Sequence, residues 1–70
     1  MRLTAVLTPA PEGGYTALNP ETGTTSQGET VEEAVACLRE AVQLYLEEVP
    51  AERTQPRQPA IVTTFDVADA

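Results

Sequence analysis

A single amphipathic helix limits the folds open to this chain, and its start is sharply marked. Thr30 can cap a helix, and Glu33, three residues later, can reach back to the Thr30 amide in a reciprocal capping box. Pro50 predicts the helix end, because the residue before a proline is disfavoured in α geometry. One apolar stripe lies between these points, and it comprises Val31, Ala34, Val35, Leu38, Ala41, Val42, Tyr45 and Val49.

Three short extended segments precede the helix. Residues 2–8 alternate apolar and polar side chains with period two, which indicates a strand. Tyr15 to Leu18 continues an extended pattern, and the short polar segment Thr24 to Gln27 suits an edge strand. Turns rich in proline and glycine separate the three segments, which predicts an antiparallel meander.

A fourth extended segment follows the helix. Residues 50–59 contain three prolines and indicate a connector, and Ile61 to Val67 is rich in β-branched and aromatic residues, which predicts a final strand. The element order is then β-β-β-α-β, an α+β class with one helix packed on a small mixed sheet in two layers. The last strand either pairs with the first through a right-handed crossover or pairs with its copy in another chain. We expect Ile61, Val62 and Phe65 to mediate self-association.

Length and residue types narrow the ways in which this chain can be stabilised. We expect residues 1–70 to form a single domain, and one this small is often stabilised by disulfides, a metal or oligomerisation. Cys37 is the only cysteine and there is no histidine, which excludes an internal disulfide and argues against a zinc site. We therefore expect a homo-oligomer, either a dimer or a tetramer.

The cellular setting follows from the same residues. No apolar run approaches the roughly 20 residues that cross a bilayer, and the N-terminus lacks the pattern of a signal peptide. A lone cysteine within an apolar helix is typical of a reducing environment, so we expect a cytoplasmic protein with Cys37 as a small buried side chain.

The formal net charge of −7 bears on the choice of partner. Nucleic-acid binding normally needs a basic surface that displaces counterions from phosphates, so we expect no direct binding to nucleic acid. A basic protein partner suits the charge better, because complementary potentials favour encounter. The alternative is that the charge only keeps a small domain soluble.

Catalysis is not expected. The helix carboxylates are mainly on its solvated side, where ordinary carboxylates are poor acids at neutral pH. A nucleophile would lack a histidine or lysine as its base. The first predicted strand offers no carboxylate for two-metal chemistry, and the glycines lack the spacing of a phosphate-binding loop. We expect no catalytic residues, no metal and no cofactor.

Acidic residues on the helix are the candidate contacts to a partner. Glu47 and Glu48 occupy the last helical turn, where negative charge opposes the helix dipole by about 0.3–1 kcal/mol each. Either that end frays, or the acidic residues contact a cationic partner. The candidate contact residues are Glu32, Glu40, Glu47 and Glu48.

Several of these segments together resemble the N-terminal domain of the HicB antitoxin family. They are Gly13-Gly14-Tyr15, the Gln27-Gly28-Glu29-Thr30 helix start with its acidic first turn, and the stretch 38–46 that ends in Leu44-Tyr45-Leu46. The resemblance covers about half of the chain, with these segments in the family's order and spacing. It implies a truncated ribonuclease H-like β-β-β-α-β domain without catalytic carboxylates, oligomers, and a small basic ribonuclease toxin of the HicA type as partner.

The chain also departs from that family. HicB antitoxins carry a C-terminal DNA-binding segment that has no counterpart in these residues, so we do not carry DNA binding over. The turn at Asn19-Pro20-Glu21-Thr22-Gly23 is more polar than the family's usual turn. An orphan homo-oligomeric scaffold without a toxin partner is therefore the alternative function.

Overall fold

The structure, a computed structural model, describes residues 2–49 and 59–69. Its elements are β1 (Val6–Pro9), β2 (Tyr15–Asn19), β3 (Thr24–Gly28) and α1 (Val31–Glu48), in that order along the chain. The predicted α+β class is confirmed, with three antiparallel strands forming a small sheet and one helix following them.

The three strands pair in chain order. Ala17 at the centre of β2 lies opposite Leu7 of β1 and Ser26 of β3, and the short polar β3 is an edge strand as predicted. β1 begins at Val6, opposite Leu18, rather than at residue 2, because β2 ends at Asn19 and has no residue opposite residues 2–4.

The helix start follows the prediction with one change. The Glu33 amide donates to Thr30 Oγ1 at 3.1 Å, so Thr30 is the N-cap. The Glu33 carboxylate accepts from the Glu29 amide at 2.7 Å, one residue before the predicted Thr30 amide. At the other end Val49 is extended, as expected before a proline, and its amide donates to the Tyr45 carbonyl at 3.1 Å.

The core lies between α1 and the middle of the sheet. It consists of the buried residues Ala17, Ala34, Leu38 and Val42, with Leu3, Leu7, Tyr15 and Leu46 packed at its margin. The helix lies close to β3 because small residues meet there. A Cβ on Gly28 of β3 would clash with the backbone of Ala34. The helix therefore packs directly on β3. Of the eight residues in the predicted apolar stripe of the helix, only Ala34, Leu38 and Val42 are buried.

Two predictions about the helix surface are wrong. Val31 and Tyr45 belong to the predicted stripe but remain 40% and 39% exposed. Cys37, predicted to be buried, is exposed. It precedes the buried Leu38 by one residue, which places it about 100° further round the helix.

The predicted final strand is also not observed in the single chain. Residues 59–69 pair with no strand, so the sheet that the structure describes is antiparallel and three-stranded rather than mixed. A strand needs a neighbouring strand with which its backbone can form hydrogen bonds, and no described strand of the same chain runs beside Ile61 to Val67. The predicted connector at 50–58 lies outside the described residues.

Candidate protein-interaction surfaces

Three of the four predicted contact residues share one side of α1. At about 100° per residue, Glu32, Glu40 and Glu47 fall within roughly 80° of one another and point away from the buried residues. All three side chains are exposed. Glu48 is also exposed, but it lies about 100° beyond Glu47 around the helix. The three carboxylates therefore form an acidic face about 22 Å long, with Glu48 outside it.

An apolar spot lies beside the acidic face at Leu44, which the sequence analysis placed in the Leu44-Tyr45-Leu46 segment and did not assign to a contact surface. Leu44 is 60% exposed and lines a shallow depression together with Cys37 and the two acidic residues Glu40 and Glu47. Protein interfaces commonly combine an apolar centre with a polar rim. This part of α1 therefore has the composition of a protein-binding surface.

The last turn of α1 remains helical to Glu48 and contains no basic residue. Negative charge there opposes the helix dipole, which disfavours the isolated helix by a few tenths of a kcal/mol per group. The acidic residues at this end thus have no role in stabilising α1.

Polar side chains join the start of the chain to the turn between β2 and β3. Asn19 is 1% exposed, and its side-chain amide donates to the Thr4 carbonyl at 2.8 Å and to Glu21 Oε1 at 2.6 Å. Its Oδ1 accepts from the Thr22 amide at 3.0 Å, which fixes the turn. The Asn-Pro-Glu-Thr-Gly sequence indicated a turn, but it gave no sign that the turn would hold distant residues.

Glu21 connects that turn to the N-terminal residues and to the start of the second described range, residues 59–69. Its carboxylate accepts from the Thr4 amide at 2.9 Å, the Thr4 hydroxyl at 2.7 Å and the Ala60 amide at 2.6 Å. The backbone amides of Thr4 and Ala60, and then the Thr4 hydroxyl, lower the pKa of Glu21 from 4.5 to about 2. We call this cluster of Thr4, Asn19, Glu21 and Ala60 the polar junction.

Beyond the polar junction, the predicted self-association residues stand in solvent. Ile61 is 91% exposed, Val62 59%, Phe65 84% and Val67 74%. Such exposure is unusual for large apolar side chains that follow one another so closely. The structure therefore places Ile61, Val62 and Phe65 on one accessible segment, residues 60–69, which we call the arm.

An open groove lies where the N-terminal residues approach α1. It has a volume of about 450 Å³ and lies between residues 3–5 and the helix. Its helix wall is mainly apolar, with Val35, Leu38, Val42 and Leu46, and its rim carries Arg39 and Gln43. We call it the helix groove.

Two further observations concern the described residues only. In residues 2–49 and 59–69 no three acidic or cysteine side chains converge on a point where they could hold a metal ion. In the same part of the chain, no helix combines the length and the apolar character that a bilayer crossing requires.

Sequence comparison finds similarity to another protein over part of the chain. It is similar to the UPF0150 protein ssl0738 of Synechocystis sp., with 47% identity over 47 residues. The match covers 66% of this chain and 65% of that relative, so the chain spans somewhat less than two thirds of the relative's length. No protein-family model matches the chain, and no solved structure matches it significantly.

Proposed function

We propose that this protein is a HicB-like, non-catalytic protein-binding module that docks a small basic partner, of the kind represented by HicA ribonuclease toxins. The similarity to a UPF0150 protein supports the family, because UPF0150 is HicB-like. In this proposal residues 1–70 form one domain that acts in the cytoplasm and neutralises its partner by covering it.

The observation that carries this proposal is the acidic face of α1 with Leu44 beside it. Glu32, Glu40 and Glu47 are exposed along one side of the helix, and Leu44 supplies an accessible apolar contact next to two of them. A basic partner would be steered by the carboxylates and held by burial of the leucine. A net charge of −7 strengthens that steering at low ionic strength.

A ribonuclease inhibition assay tests the proposal. A small basic HicA-type ribonuclease is mixed with this protein at increasing ratios, and cleavage of a labelled RNA is followed. We expect cleavage to be lost near equimolar ratio. Undiminished cleavage in stoichiometric excess of this protein contradicts the toxin-neutralising function.

A charge reversal then tests the surface. Glu40→Lys reverses a charge in the acidic face, and we expect association with the basic partner to slow by about tenfold or more at low salt. Glu12→Lys changes the net charge equally at an exposed position in the β1–β2 turn, and we expect a smaller effect from it. Equal slowing by both variants, measured by stopped-flow or surface plasmon resonance, assigns the effect to net charge and not to α1.

The second candidate is a homo-oligomeric scaffold without a toxin partner. The exposed apolar arm favours it, because Ile61 and Phe65 offer a surface for self-association that does not involve the acidic face. A scaffold would form oligomers and leave every basic ribonuclease unaffected, so the inhibition assay separates the two functions.

A further inference from the structure

We draw no further inference here: the strongest candidate, the helix groove between residues 3–5 and α1, has Leu38 and Val42 of its apolar wall already buried in the chain's own core, and nothing in residues 2–49 and 59–69 shows what covers the rest of it.

Discussion

Glu21 shows how one carboxylate can organise distant parts of a short chain. It binds the amides of Thr4 and Ala60, and it shares the buried side chain of Asn19 as a third donor. Bonds from several donors favour the charged form of the carboxylate, which is why the pKa of Glu21 falls to about 2. The positions of Thr4 and Ala60 thus depend on an ionised side chain in a turn.

The low pKa of Glu21 predicts a pH dependence of stability. Because the pKa is lower in the folded chain than its ordinary value of 4.5, the stabilising effect is complete above pH 4.5 and is lost as the pH falls toward about 2. We expect Glu21→Gln to be less stable than the parent at pH 7, and this difference to shrink below pH 4.5. Urea unfolding at several pH values measures it.

The control for this prediction is Glu12→Gln, at an exposed carboxylate of the β1–β2 turn. Its unfolding midpoints should follow those of the parent at every pH. If the Glu21→Gln curve also runs parallel to the parent curve from pH 7 to pH 2, the polar junction contributes nothing to stability through its charge.

The contact between α1 and β3 depends on the absence of a side chain. At Gly28 an added Cβ would lie 2.7 Å from the Ala34 Cα and closer still to the Ala34 nitrogen. Backbone atoms cannot move aside as the end of a flexible side chain can. The helix and the sheet therefore approach each other as closely as they do because glycine and alanine meet at this position.

Gly28→Ala tests this contact. We expect the substitution to force α1 away from β3 and to lower the free energy of unfolding by about 1–3 kcal/mol. Thr25→Ala, at an exposed position of the same strand, should lower it by less than about 0.5 kcal/mol. Urea unfolding followed by circular dichroism compares the two. Equal effects would show that the contact at Gly28 can relax.

The elements differ in how far the sequence could predict them. The helix start was predicted correctly because Thr30 and Glu33 act on neighbouring backbone groups, and the cap needs no distant residue. The strand at Ile61 to Val67 was predicted from residue type alone, whereas a strand also needs a hydrogen-bonding neighbour. The polar junction was missed for the same reason, because Glu21 acts on residues 17 and 39 positions away.

At the scale of the whole molecule, the described residues leave two apolar features uncovered. The arm projects without covering contacts, and the helix groove is open beside it. Both features are explained together if the compact unit is a pair of chains.

Thermal unfolding at different protein concentrations tests this view. If the folded unit is a dimer, dilution favours the unfolded chains, and we expect the Tm to rise by roughly 5 °C or more over a hundredfold increase in concentration. Phe65→Asp should unfold at the same temperature at every concentration. A parent Tm that does not change with concentration would show that the single chain is the folded unit.

The order of contacts along the chain has a consequence for synthesis on the ribosome. β1, β2 and β3 pair with their neighbours in sequence, and α1 follows them directly, so these elements can fold rapidly from local contacts. The arm is translated after all of them and finds its fixed point, Glu21, already in place. Its apolar side is thus exposed only after the elements that hold its base have folded, so a second copy that associates with it can meet a folded domain and not an unfolded chain.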